Sequence, residues 1–242
     1  FDAADVGKSY IYPAMARSFR SAGIQIATHF AYDPTFMAYA NTEYNTHYMN
    51  LSYTPKKALG LKICSEVFHS IPMYADYGGY PQNTNFGDFE VDYLQDLAVY
   101  NSDNKFFYTN STDTNPKNPK ILSEIAGVGN SKVVTYYGLG AYFLDKIDKG
   151  VWRLEVMPDA VWVDNPFGRN SLDKTVAVIN WETHNMQISL NDLGEGFDIT
   201  AINEGNSFST EVTNRMFKIR PGTYIISRQG IRKSWSKSDS FK

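Results

Sequence analysis

Cysteine is almost missing from this chain. Cys64 is the only one among 242 residues, so no internal disulfide framework and no cysteine-based zinc site can form. That count fits a cytosolic protein and equally a bacterial periplasmic or surface protein without disulfides. No run of lysine and arginine is long enough to neutralise a row of phosphates, and the formal net charge is −3. Nucleic acid is therefore not an expected partner. No apolar run approaches the ~20 residues that cross a bilayer, so no membrane span is expected. A signal-peptide pattern is also lacking. The chain opens at Phe1 rather than at methionine, which suggests processing or, the favoured reading, a piece of something longer.

Several catalytic signatures are lacking too. Gly127-Val128-Gly129 has neither the third glycine nor the following helix of a phosphate-binding loop. No nucleophile elbow and no Ser/His/Asp order is visible. His29, His47 and Asp33 lack the tight spacing of metal ligands, so neither a metal nor a cofactor is expected.

Aromatic residues are abundant instead, with 17 tyrosines, 15 phenylalanines and four tryptophans, and asparagine recurs throughout. Ring faces stack on the C–H faces of sugars, and amides hydrogen-bond their hydroxyls. The same residues also suit any pleated sheet, so composition alone leaves both readings open.

The first part of the chain has helical and α/β signals. Ser9 and Pro13 suit a helix start, and Ile11, Met15 and Phe19 recur at four-residue spacing before a stop at Gly23. Ile24–Tyr32 has the length of a strand, ended by Asp33-Pro34. Thr54 and Pro55 then open a second helix with Leu59, Ile63 and Val67 in line, closed by Pro72. Helix, strand, helix is the unit of a parallel α/β sheet. One or two parallel strands cannot stand alone, so an N-terminal part of the same protein is expected to be missing.

From Phe86 the period changes to two. The stretches Phe89–Leu94, Lys105–Thr109, Val133–Tyr137, Ala141–Leu144, Val151–Met157, Val161–Val163, Thr175–Asn180, Met186–Leu190, Phe197–Ile202, Met216–Ile219 and Tyr224–Arg228 read as short strands. Turn residues separate them, such as Asp148-Lys149-Gly150 and Asn191-Asp192-Leu193-Gly194, which suggests an antiparallel sandwich. Phe217–Ile226 reads as a hairpin about Pro221-Gly222. The expected fold class is thus an α/β segment, the last units of a β/α barrel, followed by an all-β antiparallel sandwich. The expected boundaries are 1–73 for the α/β segment, 74–85 for a linker or cleft loop, 86–230 for the sandwich and 231–242 for a mobile tail.

Polar residues gather between the predicted strand and the second helix. Ligand sites form at the carboxyl ends of parallel strands, which makes His29, Tyr32, Asp33 and His47 candidate substrate-binding residues and Glu43 a candidate catalytic carboxylate. The plainer readings are a solvated Glu43 and a hydrogen-bonded core His29. Lys62 and Glu66 suit a surface i,i+4 pair. Asn50-Leu51-Ser52 and Asn110-Ser111-Thr112 match the N-glycosylation pattern, which is common by chance.

The succession Tyr12–Gly23, His29–Pro34, Asn41-Thr42-Glu43-Tyr44 and Tyr53–Leu59 resembles the last strands of a (β/α)8 glycoside hydrolase. The β region ending in Pro221-Gly222-Thr223-Tyr224 resembles the sandwich that follows such barrels in large bacterial polysaccharide-degrading enzymes. The resemblance implies carbohydrate as the partner, hydrolysis of an O-glycosyl bond, and a secreted, periplasmic or cell-surface location. Retaining enzymes of this kind use two carboxylates about 5 Å apart. The asparagine-glutamate pair that carries the acid is absent here and would lie upstream. The alternative is a non-catalytic carbohydrate-binding or structural β-sandwich module, with Trp162 and Trp181 as candidate exposed aromatics.

Overall fold

The computed structural model describes residues 7–40, 48–166 and 171–231. Two helices come first, α1 (Ile11–Ser21) and α2 (Pro55–Ser70), with a single 3-10 turn at Ala38–Ala40 between them. Fourteen strands follow: β1 (Asn85–Phe86), β2 (Phe89–Asp92), β3 (Leu97–Asn101), β4 (Lys105–Tyr108), β5 (Glu124–Gly127), β6 (Val134–Tyr136), β7 (Tyr142–Asp148), β8 (Val151–Val156), β9 (Asp159–Trp162), β10 (Ala177–Asn180), β11 (His184–Ile188), β12 (Phe197–Ala201), β13 (Met216–Ile219) and β14 (Gly222–Arg228). Nine of them form one sheet in the order β1-β2-β3-β4-β5-β7-β8-β14-β12. A three-stranded sheet runs β13-β11-β6, and β10 pairs with β9.

The large sheet is mixed. β4 and β5 run parallel, with Lys105 opposite Glu124 and Tyr108 opposite Gly127. Its strands β3, β4 and β5 bury both faces. Leu97, Val99, Phe106 and Tyr108 join Met186, Ile188, Phe217 and Ile219 of the small sheet in one core. Ala98, Tyr100 and Phe107, which alternate with them, join Tyr12, Leu59, Ile63 and Val67 of the helices in a second. Period-two geometry sends neighbours to opposite faces, so β3 and β4 are apolar almost throughout.

The helices dock tightly on each other. A Cβ at Gly60 would come within 2.3 Å of the Ser9 carbonyl, so a larger residue there would push α2 off the start of α1. Buried Arg17 donates to the carbonyls of Tyr77 and Gly78 at 2.9 Å, and to that of Asn83, holding the 77–83 segment against α1. The expected Lys62–Glu66 pair does not form. Lys62 reaches Glu124 at 2.9 Å and Glu66 reaches Lys105 at 2.8 Å, so both charges tie α2 to β4 and β5.

These contacts correct the expected fold class. Among the described residues no β/α barrel unit exists, and the chain is mainly β with a large mixed sheet. Ile24–Tyr32 forms no strand. Gln25, Ile26 and Ala27 make no backbone hydrogen bond within the described residues. The helices instead cover one face of the nine-stranded sheet, which supplies the apolar surface a barrel would have provided. The expected hairpin at Pro221-Gly222 is also corrected. β13 pairs with β11, whereas β14 pairs with β8 and β12, so the Pro-Gly bend carries the chain from the small sheet to the large one.

Candidate functional site

β4 and β5, the parallel pair, both run towards a cleft of 540 Å³. In open sheets, crevices beyond the carboxyl ends of parallel strands are where ligands bind. Here the chain leaving β4 supplies Asn110 and Ser111, and the chain leaving β5 supplies Val128, Gly129 and Asn130. The start of α2 contributes Tyr53 to Lys57. The segment after β6 adds Tyr137, Gly138 and Leu139, and β9 adds Ala160 and Trp162.

The polar wall is fixed by its own hydrogen bonds. Lys56 Nζ donates to Asn110 Oδ1 at 2.9 Å, and Asn110 Nδ2 donates to the Gln95 carbonyl at 2.9 Å. Asn130 receives the Tyr136 N–H on its Oδ1 at 2.8 Å, while its own N–H donates to Ser111 Oγ at 3.0 Å. Burial lowers the Lys56 amine below the ordinary lysine range. Asp96 opposes that shift and Lys8 adds to it. Asp96 is the one carboxylate among the described lining residues, and its Oδ1 accepts the Ser9 N–H at 2.7 Å.

The aromatic wall is held as firmly. Tyr137 is 64% exposed and Trp162 41% exposed. Asp159 braces the loop beside them. Its Oδ1 accepts the N–H groups of Leu139 at 2.7 Å and Gly140 at 3.2 Å, and its Oδ2 lies 2.6 Å from His184 Nε2. Gly140 is confined by backbone, since a Cβ there would meet the Met157 and Pro158 carbonyls at 2.3 and 2.5 Å.

Three of the candidates read from the sequence, Asp33, His29 and Tyr32, sit elsewhere. Asp33 is buried and clamps backbone: its N–H donates to the Met49 carbonyl and its Oδ2 accepts the Met49 N–H, both at 2.8 Å. His29 Nε2 lies 2.9 Å from the Ala31 carbonyl, and its ring meets Tyr12 edge-on at 5.2 Å. The Tyr32 hydroxyl accepts the Leu51 N–H at 2.7 Å. None of these three lines the cleft. Glu43 and His47 lie outside the described residues. Lys57, at the cleft edge, is buried and donates to the Tyr48 carbonyl at 2.9 Å. Burial pushes its amine down to about 8 against the opposing pull of Asp33.

Trp162, named from the sequence as a surface aromatic, lines the cleft, and Trp181 does not. Sequence reasoning missed Asn110, Asn130, Tyr137 and Lys56 as a group. Two segments dismissed for other chemistry, Asn110-Ser111-Thr112 and Gly127-Val128-Gly129, turn out to build the wall. The usable signal was an Asn-Ser or Gly-Asn step directly after an apolar strand. Among the described residues no group of three or more His, Cys, Asp or Glu is placed to hold a metal ion. No helix there is long and apolar enough to cross a membrane.

Comparison of the chain with family models, with curated proteins and with solved structures finds no match in any of the three.

Proposed function

We propose that the chain binds carbohydrate, as the glycan-holding part of a protein that acts on polysaccharide. The observation that carries this reading is the cleft in which Trp162 and Tyr137 stand beside Asn110, Ser111 and Asn130. A sugar ring offers apolar C–H faces and a rim of hydroxyls. Aromatic surface with a few fixed polar groups matches both chemistries, and the cleft volume of 540 Å³ falls within the usual range for ligand sites.

Binding rather than hydrolysis is the reading for this cleft. Glycoside hydrolysis needs two carboxylates facing the scissile bond, and Asp96 is the single one among the described lining residues. A hydrolytic role would rest on Glu43, outside the described residues. A glycan-holding protein of this kind works outside the cell or at its surface, where polysaccharide is met.

Affinity electrophoresis through gels containing neutral polysaccharides tests the reading. Retardation by at least one polysaccharide is expected, with Trp162→Ala abolishing it. Unchanged mobility in every gel would contradict it.

A further inference from the structure

The 540 Å³ cleft does not end at its polar wall. Ser111 and Asn130 also border a second concavity of 480 Å³, lined further by Gln95, Thr112 and Asp113. Glu90 and Thr114 of that second concavity in turn border a third, of 250 Å³, which reaches Asn101 and Lys117. Three hollows therefore lie in series, each sharing two residues with the next.

We propose that they form one groove that takes an internal stretch of a linear, uncharged polysaccharide. This deepens, and rests on, the carbohydrate reading of the cleft. A single sugar would need only the first hollow, and a chain needs a row of them. The partitions are held by hydrogen bonds. Asn130 donates its N–H to Ser111 Oγ at 3.0 Å, and its carbonyl accepts the Thr112 N–H at 2.8 Å. Thr112 Oγ1 lies 2.9 Å from Thr114 Oγ1.

The character of the walls changes along the row. Aromatic rings stand at the Trp162 end, and hydroxyls, amides and carboxylates follow. An extended peptide would instead ask for a long strand edge and apolar pockets for alternate side chains. The edge strand β1 is two residues long, and Leu97, the apolar residue of the second hollow, is buried. Two carboxylates of the second and third hollows form ion pairs, Asp113 with Lys132 at 2.6 Å and Asp88 with Lys117 at 2.9 Å, while Glu90 accepts the neutral Thr114 hydroxyl at 3.4 Å. Carboxylates stand in all three hollows, at Asp96, Asp113, Glu90 and Asp88, so the groove suits an uncharged chain over a uronate or sulfated one.

The test titrates the chain with glucose-, mannose- and xylose-based oligosaccharides of increasing length, from disaccharide to octasaccharide, by calorimetry. Affinity for the preferred series is expected to climb about tenfold or more with length, a gain of about 1.4 kcal/mol per tenfold. Thr114→Trp, which plugs the junction of the second and third hollows, should reduce the gain with length. Gln95→Trp, at an exposed wall position, should do the same and covers the case in which Thr114→Trp fails to fold. Affinity independent of length, or both folded plugs without effect, would overturn the groove and leave the carbohydrate reading standing. No binding at any length would overturn both. Tighter binding of a Ser/Thr-rich extended peptide than of any sugar would overturn the groove's assignment in favour of a protein ligand.

Discussion

Trp162 donates its indole N–H to the carbonyl of Tyr53 across 3.0 Å, which fastens β9 to the residues just ahead of α2. Its ring also lies 6.3 Å from that of Tyr48, tilted by 48°. A half-exposed ring held in this way enters binding with little rotamer freedom left to lose.

Substitution at Trp162 should separate ring face from anchoring. Trp162→Ala is expected to weaken glycan binding about tenfold or more, as for a central aromatic contact. Trp162→Phe keeps a ring but loses the bond to Tyr53, so it should fall between wild type and alanine. Calorimetric titration of both variants checks the order. Equal affinity for all three proteins would remove Trp162 from the site.

Asp33 is expected to matter for folding and not for binding. Asp33→Ala strips the acceptor from the buried Met49 N–H. An unsatisfied buried donor costs about 1–3 kcal/mol. Denaturant unfolding should show that loss, and the folded fraction should bind glycan with unchanged affinity. A large affinity change at unchanged stability would return Asp33 to the list of substrate-binding residues.

Lys57 gives the stability a pH signature. Its amine is lowered to about 8 in the fold, chiefly by burial, against about 10.4 unfolded. Between those values the unfolded chain holds the proton that the folded chain has released, so this group's contribution to stability rises with pH. Below about pH 8 both states carry the charge and its burial cost is felt in full. The stability of wild type minus that of Lys57→Met is therefore expected to increase from about pH 8 to about pH 10. A flat or falling difference would contradict this.

Gly140→Ala drives a methyl group into the Met157 and Pro158 carbonyls, which are backbone and cannot swing aside. A loss of about 1–3 kcal/mol is expected from such overpacking, together with weaker glycan binding as the Leu139 wall shifts. Thermal unfolding and titration of the variant check both.

Cys64 is buried, and burial raises its thiol to about 12. Thiolate is the reactive form. A thiol-reactive disulfide reagent at neutral pH should leave the native chain unmodified and label it after unfolding. Rapid native labelling would place Cys64 nearer the surface.

What was legible in the sequence follows from which patterns are local. Both helices carry local signals, Pro55 at the first position of α2 and Gly23 at the end of α1 with φ +78°. Strands with one wet face showed their alternation, as in β13, and Met216–Ile219 matches its expected range. β3 and β5 were missed because they are buried on both faces, so Leu97–Tyr100 and Ile125–Gly127 show no period of two. The β-like run Ile24–Tyr32 misled for the opposite reason. Its residues suit a strand, but strand formation needs a hydrogen-bonding neighbour, which no local pattern supplies. The cleft was legible only through Trp162. Asn110 and Asn130 meet because β4 and β5 run parallel, a pairing across a crossover that spacing does not encode, and Tyr137 joins them after β6, whose Tyr136 N–H reaches Asn130.

The central claim, that the cleft beside Trp162 takes carbohydrate, is tested most directly by the indole N–H resonances of the folded chain during titration with neutral oligosaccharides. The Trp162 signal is expected to move and saturate, while that of buried Trp152, whose Nε1 donates to Asp192 at 3.1 Å, stays in place. A Trp162 signal that stays fixed across the whole panel would contradict the account.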